Sequence, residues 1–318
     1  MDSSQPRQEQ TDRATAGHTL RGTVLVIAAA TLWGFNGTVA KAIFNRAIDP
    51  LILVEARLIL ASLVMLVFLL ISNRRGLLIR RADIGYFAIL GAGLAAVQAS
   101  YFFAIAETNV SVAVFLQYLS PVLIAAYAGI TGRDRVTVRL CLAIAVATVG
   151  GLLMVIGGGG LAHFSARGVA SGLLAAFCLA FYTVYGRRGT QRYGAPTALF
   201  YAMAFGAAFW SLVIHPGRAL HAGLATDTLL FYLYIAIFGT AMPFTLYFAG
   251  LRYLPATRTG TIATLEPVMA AVTAWVFLGE SLRLVQIIGA AMVAAAVVAA
   301  SERLPGRGPS GRVRSAAE

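Results

Sequence analysis

Residues 101–121 read YFFAIAETNVSVAVFLQYLSP, and residues 247–267 read YFAGLRYLPATRTGTIATLEP. Laid one over the other, they open on Tyr101-Phe102 and Tyr247-Phe248. They close on Leu119 with Pro121 and Leu265 with Pro267, at an offset of 146 residues. The same offset runs outward without a gap. Arg21-Gly22 meets Arg167-Gly168, Phe35 meets Phe181, Pro50 meets Pro196 and Tyr86 meets Tyr232. Matched alanines would mean little in so apolar a chain; matched Pro, Tyr and Arg-Gly mark an internal repeat.

Each copy carries five apolar segments. They read as 22–42, 51–71, 84–106, 110–130 and 136–157, then 168–187, 196–215, 228–251, 256–278 and 283–301. Each is long enough to cross about 30 Å of hydrocarbon as a helix. Runs of this length favour helices over barrel strands, which would alternate over about ten residues. A unit of five helices ends on the opposite side of the bilayer from its start, so the second copy is upside down. The expected fold is an all-α polytopic membrane protein, ten transmembrane helices in two inverted five-helix repeats. Such repeats recur in secondary transporters, with a site near the midplane. The organisation that follows is a disordered tail at 1–20, a first repeat at 21–157, a linker at 158–166, a second repeat at 167–302 and a tail at 303–318.

Composition agrees. Of 318 residues, 59% are hydrophobic and 12% charged, with mean hydropathy +0.78, whereas soluble domains carry about 25% charged residues. The net charge of +12 could suggest nucleic acid. Its distribution points instead to membrane topology. With a cytoplasmic N-terminus, 19 of the 25 basic residues fall on the cytoplasmic side and 5 (Lys41, Arg46, Arg167, Arg218 and Arg283) opposite, with Arg57 inside a helix. This asymmetry predicts both termini in the cytoplasm of a cell inner (plasma) membrane. It leaves no basic domain for nucleic acid.

The polar first 20 residues lack the short apolar core and cleavage site of a signal peptide. Cys141 and Cys178 lie in apolar segments and read as reduced packing residues. The run Gly157–Gly160 followed by His163 reads as the join between repeats; no Lys-Ser/Thr follows it, as a phosphate loop would require. His18, His163, His215 and His221 fall in tails, in loops or at a segment end, and His215 and His221 are not at helical metal-site spacing. No metal, cofactor or catalytic constellation is expected. Trp210 and Trp275 read as interfacial anchors. The Ala-, Gly- and Val-rich fifth and tenth segments suit close contact with a neighbouring helix or a second subunit, or simple exposure to lipid.

Polar groups inside the segments are costly and therefore informative. Glu266 stands mid-segment beside Pro267, where a carboxyl can bind substrate or carry a proton; the alternative is a packing hydrogen bond. Pro267 and its counterpart Pro121 break their helices, and inversion should bring the two breaks together. Trp33 and Asn36 share a face of the first segment, and Tyr182, with Tyr185 nearby, answers in the sixth. Gln98 and Tyr101 share a face of the third segment, matched by Phe244 and Tyr247, and Gln117 and Ser120 share a face of the fourth. These residues would line a cavity for a medium-sized amphipathic solute. Arg57 has two readings, an anion anchor or partner of a buried acid, or a side chain reaching to the outer interface near Glu55 or Asp49.

The stretch Leu265-Glu266-Pro267, Phe277-Leu278-Gly279-Glu280-Ser281-Leu282 and Gln286-Ile287-Ile288-Gly289 resembles the EamA-type family of the drug/metabolite transporter superfamily. So do Trp33-Gly34 with Asn36, and Pro50 followed by Arg57. The first repeat departs from the pattern, with Thr131-Gly132-Arg133-Asp134 where the second has Leu-Gly-Glu. The resemblance implies export of amino acids or other small metabolites through a central cavity, with the inverted bundles rocking around it and Glu280 in a structural role. A passive channel for the same solutes, or a membrane sensor, is the alternative. Expected partners are a small-molecule substrate and the lipid bilayer.

Overall fold

The computed structural model describes residues 5–43, 50–132, 134, 136–159, 165–213 and 226–301. Arg46, Arg133, Arg135, His163, His215, Arg218, His221, most of the linker and the C-terminal tail lie outside them. The helices are α1 (Gln5–Ile43), α2 (Pro50–Ser72), α3 (Ile84–Glu107), α4 (Val110–Gln117), α5 (Ser120–Thr131), α6 (Val138–Gly157), α7 (Ala166–Tyr193), α8 (Ala195–Val213), α9 (Thr226–Ala236), α10 (Met242–Tyr253), α11 (Ala256–Ala263), α12 (Glu266–Leu278) and α13 (Leu284–Ser301). No strand occurs among the described residues. Ten spans among the described residues are long and apolar enough to cross a membrane. Three of them, α4/α5, α9/α10 and α11/α12, are interrupted.

The interruptions have one cause. A proline has no N–H for the carbonyl four residues earlier. Pro121 leaves Gln117 without a donor and Pro267 leaves Ala263 without one, so α4 and α11 end at those residues. The breaks therefore lie upstream of the prolines, at Tyr118-Leu119 and Thr264-Leu265. Pro243 does the same to Phe238, in the i to i+5 register of the π-helical turn Ile237–Ala241 that joins α9 to α10.

The repeat signal has a packing explanation. A Cβ at Gly22 would lie 2.7 Å from Leu254 Cγ and 2.8 Å from Tyr253 Cβ. At Gly168 it would lie 2.5 Å from Thr108 Cγ2 and 2.9 Å from Glu107 Cβ. Glu107-Thr108 and Tyr253-Leu254 are themselves repeat counterparts, so one close helix contact is made twice about a pseudo-twofold axis. A side chain at either glycine would separate α1 from α10, or α7 from α3.

The repeats are interleaved. α1 packs on α10, α11 and α12, while α7 packs on α3, α4 and α5. α2 and α8 pack together, and α6 packs along α13. In that last pair a Cβ at Gly289 would lie 2.5 Å from the Gly150 carbonyl oxygen, so small residues of the fifth and tenth spans meet each other. The outer surface is apolar, with Ile130 86%, Ile71 82% and Leu212 82% exposed, as lipid contact requires and water would not tolerate over so wide an area.

Residues 5–20 continue α1; Gln, Arg, Glu and Ala there are good or tolerant helix formers. Two expectations are corrected. Trp210 is no interfacial anchor, being 4% exposed within the main core, whereas Trp275 is 57% exposed. Cys141 is exposed and does not serve packing; both cysteines are free thiols.

Candidate functional site

The two breaks meet. Tyr118, in the interruption between α4 and α5, donates its hydroxyl proton to Oε2 of Glu266, the first residue of α12. Ser120 is the repeat counterpart of Glu266 and is buried at the start of α5. Gln117 is part-buried at the end of α4. Glu266 lies ten residues from the start of its span, about 15 Å at 1.5 Å per residue, which is near the midplane.

α1 is drawn against this break by Gly34. A Cβ there would lie 2.6 Å from the Ala270 nitrogen and 2.8 Å from the Glu266 carbonyl oxygen, so only glycine permits the approach. One turn further, the Thr38 and Thr273 hydroxyls pair at 2.7 Å. Trp33, beside Gly34, packs edge-on against Phe244 at 4.9 Å and at a tilt against Tyr247 at 5.6 Å. The Tyr247 hydroxyl pairs with Thr183 Oγ1 at 3.0 Å. Tyr182 is fully buried against Phe248 and Phe244, and its hydroxyl has no partner among the described residues.

Asn36 binds the π-helical turn. Its Nδ2 donates to Phe238 O at 2.6 Å and Leu32 O at 2.9 Å. In the i to i+5 register of that turn, Phe238 O would await an N–H from residue 243, which is proline. Asn36 supplies the missing donor, while its buried Oδ1 has no partner.

On α3, Tyr101 stands within electrostatic reach of both Arg57 of α2 and Glu266. One turn from it, Gln98 is 4% exposed and its buried Nε2 has no acceptor. Glu55 is committed elsewhere, with Ser211 Oγ donating to its Oε1 at 3.2 Å. Asp49 lies outside the described residues.

Tyr185 stands apart from this group. Its ring stacks on Tyr86 at 4.4 Å and Phe181 at 5.0 Å, and its carbonyl accepts from the Tyr86 hydroxyl. It belongs to a cluster between α3 and α7 near the arginine-rich side. There Arg187 pairs with Asp134 at 3.0 Å, Arg192 with Asp83 at 2.9 Å, and Tyr193 donates to Asp83. A cavity of about 130 Å³ beside Asp134, Arg187, Arg188 and Gln191 sits at this end.

Two trios of spans flank the centre, α1 with α9/α10 and α11/α12, and α7 with α3 and α4/α5. Their mutual packing is through the halves nearer the arginine-rich side, α5 on α11 and α7 on α10 and α11. The two trios therefore meet on that side of the site.

Sequence reading placed Trp33, Asn36, Gln98, Tyr101, Tyr182, Tyr247 and Glu266 among candidates, and missed Tyr118. The signal was present: Tyr118 lies two residues ahead of the counterpart of Glu266, in the turn that Pro121 breaks.

The EamA-like transporter family matches residues 20–156 and again 166–301, once per repeat. The chain is 26% identical over 293 residues to an uncharacterized inner membrane transporter, YicL, of Salmonella typhimurium, covering 89% of this chain and 95% of that one. It is 28% identical over 276 residues to the threonine/homoserine exporter RhtA of Escherichia coli, covering 86% and 88%. A crystal structure at 20% identity superposes with TM-score 0.72 over 88% of this chain and 98% of that one, which speaks for the fold.

Proposed function

The chain belongs to the EamA-like transporter family, and from that premise we propose that it is a secondary transporter exporting amino acids or similar small metabolites across the inner membrane by alternating access. The observation that carries this reading is the meeting of the two helix breaks at Tyr118 and Glu266, between two trios of spans each drawn from both repeats. Broken helices at the midplane are where transporters expose polar backbone to a solute. The moving bodies would be these mixed trios rather than the repeats themselves, because most close packing crosses between repeats.

The ring of Trp33, Phe244 and Tyr247 offers apolar surface, and Asn36, Gln98, Gln117, Ser120, Tyr101 and Tyr182 offer hydrogen bonds. Glu266 is the candidate proton carrier. The arginine asymmetry supports cytoplasmic termini, and the side on which the two trios meet is then the cytoplasmic one. A passive channel would need a path open at both ends, which the packing of α5 on α11 and of α7 on α10 and α11 opposes in this state.

Proteoliposomes loaded with labelled L-threonine, L-homoserine, L-leucine or L-phenylalanine test the reading. Saturable, protein-dependent efflux of one or more is expected. Flux that rises linearly with load would indicate a channel instead.

A further inference from the structure

We propose that Arg57 anchors the α-carboxylate of a zwitterionic amino acid whose ammonium group is held by Glu266. This deepens the transport reading above and rests on it.

Arg57 lies seven residues inside α2, about 10 Å from its start. A guanidinium in hydrocarbon is costly unless paired or wet, yet among the described residues Arg57 makes no hydrogen bond or ion pair. Its Nε is buried with no acceptor, while the residue as a whole is only part-buried. The outer guanidinium nitrogens therefore face open space. The carboxylate on its own helix, Glu55, is turned to Ser211 of α8. The protein has thus placed a cation in the membrane interior and left its hydrogen bonds unfilled.

Its surroundings define what could fill them. Tyr101 is in electrostatic reach of both Arg57 and Glu266. Gln98, on the same face of α3, holds a second buried donor without an acceptor. Arg57 and Gln98 hold buried donors without acceptors among the described residues, and donors of this kind suit a carboxylate with its planar pair of oxygens. Around Glu266 there is an acceptor whose only protein hydrogen-bond donor among the described residues is Tyr118. A molecule with one carboxylate and one ammonium satisfies both ends. A dianion would bring a second negative charge against Glu266. A simple amine would leave Arg57 unfilled.

The test is counterflow of labelled L-threonine in proteoliposomes, competed by unlabelled L-threonine, by L-threoninamide and by 1-amino-2-propanol, which lacks the carboxyl altogether. In the wild type the acid should compete at least about tenfold better than the amide or amine, the scale of a charge-assisted hydrogen-bond pair. Arg57→Gln should lose that preference by weakening the acid alone, and Arg57→Lys should restore part of it. Equal competition by acid and amide in the wild type overturns the proposal. So does an Arg57→Gln protein that weakens acid and amide alike, since Arg57 would then serve packing or neutralise Glu266. Should Arg57→Gln not fold, the wild-type and Arg57→Lys comparisons still decide. Counterflow absent for L-threonine, L-homoserine, L-leucine and L-phenylalanine would overturn the transport reading itself and this inference with it. Amino-acid counterflow that ignores the carboxylate overturns the inference alone.

Discussion

The hydroxyl of Tyr118 hydrogen-bonds Glu266, and so ties the helix break of one repeat to the break of the other. The two residues are 148 apart in sequence. They meet because inversion places the fourth and ninth spans on either side of the pseudo-twofold axis. The contact couples a group that can carry charge to the two segments least constrained by helix hydrogen bonds.

Glu266→Gln should fold, since the amide oxygen still accepts from Tyr118. It should abolish the pH dependence of net transport and, because the charge that holds the ammonium group is lost, weaken but not eliminate exchange of substrate. Transport rates in proteoliposomes across a pH series check this, and an unchanged pH dependence contradicts a proton-carrying role.

Tyr118→Phe removes one charge-assisted hydrogen bond and keeps the ring. A loss of about 1–3 kcal/mol is expected, read as a lowered thermal midpoint in detergent. Leu119→Ala, in the same interruption but without a polar group, controls for disturbance of the turn.

Gly34 and Gly37 lie three residues apart on α1 and make opposite predictions. A Cβ at Gly34 meets backbone of α12 at 2.6 Å, so Gly34→Ala should destabilise by about 1–3 kcal/mol. A Cβ at Gly37 meets nothing within 4 Å, so Gly37→Ala should be neutral or stabilising by up to about 1 kcal/mol. Thermal unfolding of the two proteins side by side tests the helix contact.

Ile124 of α5 and Gly260 of α11 join the two trios on the arginine-rich side, a Cβ at Gly260 lying 3.1 Å from Ile124 Cδ1. Ile124→Ala should raise alkylation of Ser120→Cys from that side, in a background lacking Cys141 and Cys178. Labelling indifferent to the change would mean that this contact does not limit access.

The fold was largely legible in the sequence because its signals are long-range regularities. Ten apolar runs, a constant offset and Arg-Gly at matched positions need no knowledge of side-chain geometry. The Gly22 and Gly168 contacts explain why that dipeptide recurs. The site was legible where a residue is costly in lipid, as Glu266 is. It was less so where identity alone is ambiguous. An aromatic such as Tyr118 or Trp210 reads equally well as core, site or anchor until its neighbours are known. Tyr182 and Tyr185 share one segment, yet one lies by Phe244 and Phe248 and the other stacks on Tyr86. The π-helical turn left only an indirect trace, Pro243, because an irregular turn does not disturb an apolar run. Asn36 was named for its polarity; its task, replacing the donor that Pro243 lacks, depends on where that turn falls.

Counterflow bears on the central claim most directly. Proteoliposomes containing the wild-type protein are loaded with an unlabelled amino acid, and uptake of the labelled form is followed over a panel including L-threonine and L-homoserine. The account predicts saturable uptake, stimulated by the internal load, for one or a few amino acids. Uptake that ignores the internal load, or none across the panel from folded protein, would contradict it.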